Sequence, residues 1–284
     1  MKNSMTKLKA ALLAAIPLAA SSISTAEESV LLRYQPAATL FSLSLESDIR
    51  AGEKEQPVAG RKFVMKYESP TQAESGPIRF KLAEAKASYT AHGMNQRLGT
   101  KHLLGREFGL EIADEGRALH LSGHQHGAHQ GTAHKNMDID MGPATDHGFA
   151  LDEVLAEWLP ALPQDPVSQG SKWNTQHDSR TLVGWAWAQG ILECDHELVN
   201  LKQEAGHQVA SVHSNCLSVL SALEGSDQYS GDGTLTRNTQ WQFDVTDGRL
   251  ISLSGEQESN GFSDLPQGNV QIRQLSTISL SSEG

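Results

Sequence analysis

Along most of this chain apolar and polar residues alternate at every second position, which is the pattern of half-buried β-strands. The clearest example occurs twice: residues 107–125 align with residues 240–257, with one extra residue, Glu115, in the first copy. In each copy the alternation continues on both sides of a turn, Asp-Glu-Gly in the first and Asp-Gly in the second. A turn of this kind between alternating segments predicts a β-hairpin. The repetition of the hairpin indicates a duplicated β unit.

The same alternation predicts further strands in both halves of the chain. Along 38–50, for example, Phe41, Leu43 and Leu45 alternate with polar residues, so one face of that strand is expected to be solvated. In the first half the strands are expected at 29–35, 38–50, 61–68 and 78–91, followed by the first copy of the hairpin at 103–123. In the second half they are expected at 181–190, 191–201, 208–223, 233–245, 249–257 and 269–281.

One segment departs from the period of two. Phe149, Val154, Leu155, Trp158 and Leu159 fall at helical spacing, with acidic residues on the opposite side. Prolines follow directly and end the pattern. The sequence therefore predicts one amphipathic helix, which is expected to cover one mouth or edge of the sheet.

The N-terminus is typical of an exported protein. Three lysines precede an apolar run over 10–20, and small residues follow at Ser24 and Ala26. This is the pattern of a Sec-type signal peptide, with cleavage predicted after Ala26. The apolar run is too short to span a bilayer, and no later stretch approaches about 18 apolar residues. The mature protein is therefore expected to be soluble and periplasmic or secreted, without a membrane span.

The charge of the mature chain narrows the range of partners. Without the three lysines of the leader, 20 basic residues remain against 34 acidic ones, a net charge of −14. A chain this acidic repels nucleic acid and anionic lipid surfaces, so no nucleic-acid partner is predicted.

The two cysteines, Cys194 and Cys216, lie at equal distances from Ala205 in a predicted hairpin. The same register places Leu198 opposite Val212. Directly opposed residues of an antiparallel pair are close enough to form a disulfide, and the compartment is oxidising. We predict a structural disulfide, because the spacing is not that of a redox-active Cys-x-x-Cys pair.

Three features occur in order: the first Asp-Glu-Gly-Arg hairpin, a helix leading into Pro166-Val167, Gly170 and Trp173, and a Gly-x-Gly segment at 231–233 before the second hairpin. This order resembles a family of exported bacterial β-rich proteins known only as a domain of unknown function. The Pro-Val-x-x-Gly-x-x-Trp junction is its most specific element, and the resemblance covers most of the mature chain. It implies no catalytic residues.

The resemblance implies a mainly β fold: a strongly curved, half-barrel-like antiparallel sheet from two similar halves, with one amphipathic helix between them. Half-barrels that bind lipids or lipoproteins in the periplasm are loosely similar, so such a partner is expected by analogy of fold. The predicted organisation is a signal peptide over 1–26, a first β half over 27–123, a His-rich loop over 124–148, a linking helix over 149–163 and a second β half over 164–284.

The His-rich loop is not part of the family pattern, and it holds most of the candidate chemistry. Imidazole suits Zn²⁺ and Cu²⁺, and several glycines leave the chain free to bend around an ion. Two interpretations stay open: a physiological Zn or Cu site, or a solvated loop that binds metal adventitiously, since the spacing matches no rigid site. The candidate ligands are six of the twelve histidines: His120, His124, His126, His129, His134 and His147.

The remaining motifs are weaker. His196 is predicted to pack, and the tryptophans of the second half are expected either in the core or along a ligand cavity. No G-x-S-x-G, H-E-x-x-H or phosphate-binding loop is present in the sequence. We therefore expect a non-enzymatic exported protein that binds a hydrophobic ligand or an envelope component. The alternative is a periplasmic Zn- or Cu-binding protein acting through the His-rich loop; a hydrolase is least supported.

Overall fold

In a computed structural model of the chain, β-strands account for most of the described residues. The predicted signal peptide over 1–26 lies outside them. The structure describes residues 28–35, 39–69, 78–91, 93–101, 104–105, 107–112, 118–121, 138–139, 149–150, 157–184, 186–222, 229–265 and 268–283.

The strands of the described chain are short in the middle and long towards the end. The first half contains β1 (Thr39–Ala51), β2 (Gln56–Ser69), β3 (Ile78–Ala91), β4 (Met94–Leu98), β5 (Glu107–Ile112) and β6 (Ala118–Leu121). Two short strands follow, β7 (Asp138–Ile139) and β8 (Phe149–Ala150). The second half contains β9 (Lys172–Val183), β10 (Ala186–Glu204), β11 (His207–Ala222), β12 (Tyr229–Asp244), β13 (Arg249–Leu265) and β14 (Gly268–Glu283).

Twelve of these strands form one sheet, in the order β6-β5-β3-β2-β1-β14-β13-β12-β11-β10-β9, with β4 also paired to β3. Neighbouring strands are antiparallel, including β1 and β14 at the centre. Each half of the chain is therefore a run of neighbouring strands, and the first and last long strands join the two halves. This confirms the predicted mainly β, antiparallel fold.

Both copies of the repeated hairpin are present. In the first copy β5 pairs with β6, with Ile112 opposite Ala118. In the second copy β12 pairs with β13, with Asp244 opposite Arg249. The first copy thus spans one more loop position than the second, which is where the sequence carries its extra residue.

The sheet curves so strongly that the end of β9 reaches across its concave face. Gly184 donates its backbone N–H to Gln274 Oε1 on β14 at 3.1 Å, and Gln257 Nε2 on β13 donates to Thr181 Oγ1 at 3.2 Å. Three strands separate β9 from β13 in the sheet order, so these contacts require curvature. A Cβ on Gly184 would lie 2.9 Å from Ile272 Cγ2, so the crossing requires glycine at this position.

Two segments that are not strands of the sheet cover the concave face; we call residues 28–35 and 157–171 the cover. Val30 and Val167 exchange two backbone hydrogen bonds of 2.8 Å. The Tyr34 hydroxyl donates to the Pro160 carbonyl at 2.9 Å. Apolar cover residues such as Leu162, 2% exposed, pack into the main apolar cluster of the sheet. The interior of the curve is therefore filled by the chain's own residues, and the predicted sheet strand at 29–35 is wrong.

The predicted helix at 149–159 is not supported either. Phe149 and Ala150 form β8 and pair with β7, which satisfies their backbone groups by strand pairing. Only Glu157 and Trp158 have helical geometry in the described part of this segment, and 151–156 lie outside it. Trp158 is buried against the sheet. Its apolar side chain therefore packs against distant strands and does not belong to one face of a helix. No helix in the described ranges has the length and apolarity to cross a membrane.

The boundary predicted at residue 190 is also wrong. The chain turns at Gly184, where φ is +62°, and β10 then runs without interruption through Gly190 to Glu204. The predicted strands at 181–190 and 191–201 are therefore the end of β9 and one long strand. The alternation continues through the turn, so it could not locate the reversal.

Candidate functional site

A row of polar side chains crosses the concave face of the sheet. The strand register places its members directly opposite one another on neighbouring strands, and side chains on one face recur at every second residue. The row continues into the disulfide, since Arg237 lies opposite Cys216. We call the six residues before the disulfide the polar belt: Tyr89, Arg61, Ser47, Ser276, Gln257 and Arg237.

The Arg237 end of the belt is fully partnered. Its Nε and Nη2 donate to Gln257 Oε1 at 2.9 and 2.7 Å. Its Nη1 donates to the Glu157 carbonyl at 2.9 Å, and its Nη2 also donates to Glu157 Oε1 at 2.7 Å. The guanidinium carbon lies 4.1 Å from the centre of the Trp158 ring. Arg237 therefore fixes the 157–158 part of the cover to the sheet through charge, hydrogen bonds and a cation–π contact.

The end of β9 shares this anchor. Glu157 Oε1 accepts a hydrogen bond from Ser179 Oγ at 2.8 Å, in addition to the bonds from Arg237. Gln257, which accepts from Arg237, donates in turn to Thr181. The cover, β9 and the centre of the sheet are thus joined by one buried network in which Glu157 balances the charge of Arg237.

The Arg61 end of the belt differs. Arg61 is 3% exposed, and its Nε and Nη2 have no hydrogen-bond partner in the part of the chain that the structure describes. Burial lowers the pKa of this guanidinium to about 10, so Arg61 stays cationic at neutral pH. The hydroxyl of Ser47, directly opposite, is 2.9 Å from that of Ser276.

A small cavity of about 60 Å³ lies between the belt and the cover. Arg61, Ser47 and Ser276 line it from the sheet, and Trp158 lines it from the cover. The exposed side chain of Arg180 also lines it, which connects the cavity to the surface. Its volume is enough for a few water molecules or one small polar group.

A second, larger space lies beside the cover. A groove of about 500 Å³ runs between residues 161–167 and the first half of β9. Leu162, Val167 and Trp173 are among its apolar lining residues, and the larger part of the lining is polar, including Lys172 and Asn174. A volume of this size lies within the range of small-molecule sites, about 300–1,000 Å³.

The Pro166-Val167…Gly170…Trp173 junction builds this groove. Val167 is held by its bridge to Val30. Gly170, with φ of +86°, donates its N–H to the Leu198 carbonyl at 2.7 Å and directs the chain into β9. The junction therefore joins the cover to the edge strand and sets the width of the groove.

His196 supports the groove from the sheet side. Its ring stacks on Trp173 with centroids 5.1 Å apart, and its ring nitrogens lie 2.8 Å from Thr175 Oγ1 and 2.7 Å from Ser214 Oγ. Burial lowers the pKa of His196 to about 4, so the ring is neutral at pH 7. This geometry agrees with the predicted packing role.

The tryptophans divide between core and groove. Trp241 is 2% exposed and donates its indole N–H to Ser214 Oγ at 2.9 Å, so it belongs to the core. Trp173 is half-buried and contacts Trp241 edge to face. Trp185 lies outside the described residues, and only the backbone position of Trp187 in β10 is described.

The predicted disulfide is confirmed. Cys194 and Cys216 are bonded across β10 and β11, with their Cα atoms 4.0 Å apart. The turn lies at Ala205 and Gly206, both with positive φ, and Leu198 lies opposite Val212 as predicted. Beyond that pair a bulge shifts the register, so Ser211 faces Asn200.

The predicted metal ligands fall largely outside the described residues. His120 lies in β6, where only its backbone pairing with Leu110 is described. His124, His126, His129, His134 and His147 all lie outside the described ranges. The Zn or Cu site therefore stays a prediction.

The structure does bring together one possible ligand group that the sequence did not indicate. His207 Nδ1 lies 3.1 Å from Asp244 Oδ2 and 3.5 Å from Asp247 Oδ2, at the turn of the second hairpin. Arg249 Nε lies 3.6 Å from each of the same two oxygens and already supplies a positive charge. Asp244 Oδ1 accepts the backbone N–H groups of Thr246 and Asp247 at 3.0 Å. We assign this cluster to the structure of the turn.

Comparison with known proteins leaves the chain without a family. No protein-family model and no curated protein matches it. It is similar to a solved structure described as "Lipid-protein interactions in lipovitellin", with a TM-score of 0.47 and 17% identity over 88% of this chain. The match covers 25% of the lipovitellin chain, so this chain spans about a quarter of its length. The resemblance to an exported bacterial family therefore stays a prediction.

Proposed function

We propose that this is an exported, non-enzymatic protein that binds a hydrophobic ligand, or an apolar part of an envelope component, in the groove between residues 161–167 and β9. The observation that carries the proposal is the size of this groove together with the apolar residues in its lining. Trp173 is half-buried and lines the groove beside the buried Leu162 and Val167, all contacts of the main apolar cluster, and polar residues make up the larger part of the lining. A concavity of this size that includes apolar surface can hold a small ligand.

The Trp173 indole contributes apolar surface to the groove. Its Nε1 is buried and has no hydrogen-bond partner among the described residues, so the N–H group is not exposed in the groove. The ring carbons of this half-buried side chain are therefore the part that an apolar chain of a ligand contacts.

The interior of the curved sheet is a poorer site than the sequence led us to expect. The cover fills the concave face, and the cavity that remains beneath it has a volume of about 60 Å³. This is far below the roughly 300 Å³ at which ligand sites begin. The proposal therefore places the ligand in the lateral groove.

Export of the protein rests on two observations. One is the predicted signal peptide, and the other is the disulfide between Cys194 and Cys216. Disulfides persist in the periplasm and outside the cell, where a lipid or lipoprotein partner is available.

The test is a calorimetric titration of the purified protein with dodecanol, a neutral single-chain probe. Trp173→Ala removes one wall of the groove and should weaken binding roughly tenfold to a hundredfold, the effect of losing one buried aromatic contact. Leu217→Ala on β11 is the matched control, because Leu217 is 54% exposed and lies away from the groove. Equal affinities for the wild type and Trp173→Ala, or no binding of dodecanol at all, would contradict the proposal.

A further inference from the structure

We infer that the small cavity beside Arg61 is a binding site for an oxyanion, a carboxylate or a phosphate group, which neutralises the buried Arg61 guanidinium. Neither the groove nor Trp173 takes part in this site, so the inference is independent of the proposed function. It rests on the two N–H groups of Arg61 that have no partner among the described residues, on the burial of Arg61, and on the size and lining of the cavity.

The two partnerless N–H groups of Arg61 form the edge of a guanidinium that binds carboxylates bidentately. The same protein shows this at Arg273, whose Nε and Nη2 donate to the two carboxylate oxygens of Glu258 at 3.0 and 3.1 Å. Arg237 uses the same edge to bind Gln257. In the described chain, Nε and Nη2 of Arg61 have no such acceptor.

The burial of Arg61 makes the missing acceptor costly. An unpaired charge in a protein interior is unfavourable, and a bound oxyanion offsets this cost. Glu157, which also lines the cavity, is already paired with Arg237 at 2.7 Å and does not neutralise Arg61. The described lining therefore carries a net positive charge in which Arg61 has no counterion.

The Ser47 hydroxyl offers a second donor. Gln274 Nε2 donates to Ser276 Oγ at 3.2 Å, and the Ser276 and Ser47 hydroxyls are 2.9 Å apart. When Ser276 donates to Ser47, the Ser47 hydrogen is left to point at an oxyanion beside Arg61. A cavity of about 60 Å³ accommodates a headgroup of this size but no alkyl chain.

The cavity opens to solvent beside Arg180. The side chain of Arg180 lines the cavity and is exposed to solvent. A cation at the mouth favours entry of an anion over a neutral molecule or a metal ion. The oxyanion is either a free ion or the headgroup of an acidic amphiphile, and the experiment separates these two sources.

The experiment titrates the mature protein with acetate, inorganic phosphate, dodecanoate and dodecanol at constant ionic strength, with chloride as the reference anion. Arg61→Met keeps the length of the side chain and removes the charge; it should weaken oxyanion binding about tenfold to a hundredfold. Arg61→Lys keeps the charge without the paired N–H groups. Its affinity for oxyanions should lie between that of the wild type and that of Arg61→Met. Arg50→Gln is the matched control, because Arg50 pairs at the surface with Asp48 at 2.9 Å and should bind like the wild type.

The outcomes separate the two ligand sources and the two proposals. Binding of acetate or phosphate that depends on Arg61 supports the site with a free ion as its ligand. Binding of dodecanoate alone, with the same dependence, supports it with a headgroup as its ligand. Dodecanol should bind the wild type and Arg61→Met equally well. If the wild type binds no dodecanol but still responds to the anions, the proposed groove is wrong and the anion site is supported. Absence of any oxyanion response above the chloride reference, or equal responses in the wild type and Arg61→Met, overturns the anion site.

Discussion

The two buried arginines of the polar belt occupy the same row of the same concave face, and their surroundings differ at almost every atom. Arg237 donates hydrogen bonds to Gln257 and Glu157 and stacks on Trp158. Arg61, four strands away, has two N–H groups without an acceptor in the described part of the chain. Identical side chains in equivalent strand positions thus become an anchor in one case and an open site in the other.

The difference arises from the cover. The sheet itself gives each arginine polar neighbours at the opposing positions, Gln257 for Arg237 and Ser47 for Arg61. Among the described residues a carboxylate of the cover reaches Arg237 but not Arg61, because Glu157 lies beside β12. The function of a buried charge in this fold therefore depends on what the covering segments bring to it.

The largest effect is expected from Arg237→Met. It leaves the largely buried Glu157 carboxylate without its cation, and such losses destabilise proteins by about 3–5 kcal/mol. Urea unfolding followed by circular dichroism measures the change. The double variant Arg237→Met with Glu157→Leu should recover much of the loss, because no charge then stays unpaired. A loss below about 1 kcal/mol for the single variant would show that the pair is not an anchor.

The disulfide beside Arg237 should contribute almost as much. Replacing Cys194 and Cys216 together by alanine opens a loop with a sequence separation of 22 and should lower the free energy of unfolding by about 3 kcal/mol. Urea unfolding of the double variant checks this value. The wild type treated with a reductant is the control and should lose a similar amount; a variant as stable as the oxidised wild type would contradict the prediction.

His196 should make stability depend on pH. Its folded-state pKa is about 4, below its ordinary value of 6.5, so the unfolded chain binds a proton in this range that the folded chain does not. Its contribution is complete above pH 6.5 and is lost as the pH falls towards 4, by up to about 3 kcal/mol.

Unfolding free energies of the wild type and His196→Gln between pH 4 and 7 measure this contribution. The variant should show a flatter profile, since the titrating ring is gone. His213→Gln is the control for replacing a histidine, because His213 is exposed on β11. Parallel profiles for the wild type and His196→Gln would exclude His196 as the source of the dependence.

The smallest effect, and one of opposite sign, is expected from Arg61→Met without ligand. Replacing an unpaired buried cation by an apolar side chain of similar length should raise the free energy of unfolding by about 1 kcal/mol. The same urea titration detects the gain. Destabilisation as large as that of Arg237→Met would mean that Arg61 also has a structural partner.

Local features of the fold were predictable, because strand pairing between neighbours in sequence is encoded in alternation and turns. The hairpin centred on Ala205 even fixed the pairing of Cys194 with Cys216. The pairing of β1 with β14 and the bridge from Val30 to Val167 were not predictable, because they join distant segments and leave no mark in local periodicity.

The site was partly visible in the sequence. Arg61 is in phase with the buried Phe63 and Met65 of β2, and Arg237 is in phase with Trp241 of β12. In each case a charged residue occupies a strand position at which the alternation predicts an apolar one, and this is the signal by which the sequence indicates both arginines. The sequence could not show which arginine has a carboxylate partner, because Glu157 lies 80 positions from Arg237 in the chain.

The most direct test of the difference between the two arginines is the NMR signal of their Nε–Hε groups during a titration with acetate and then phosphate. Because the Arg61 Nε–H has no partner among the described residues and that of Arg237 donates to Gln257 at 2.9 Å, the Arg61 signal should shift and saturate while the Arg237 signal stays in place. Signals that both stay in place, or that move together without saturating, would contradict the assignment of Arg61 as an open site.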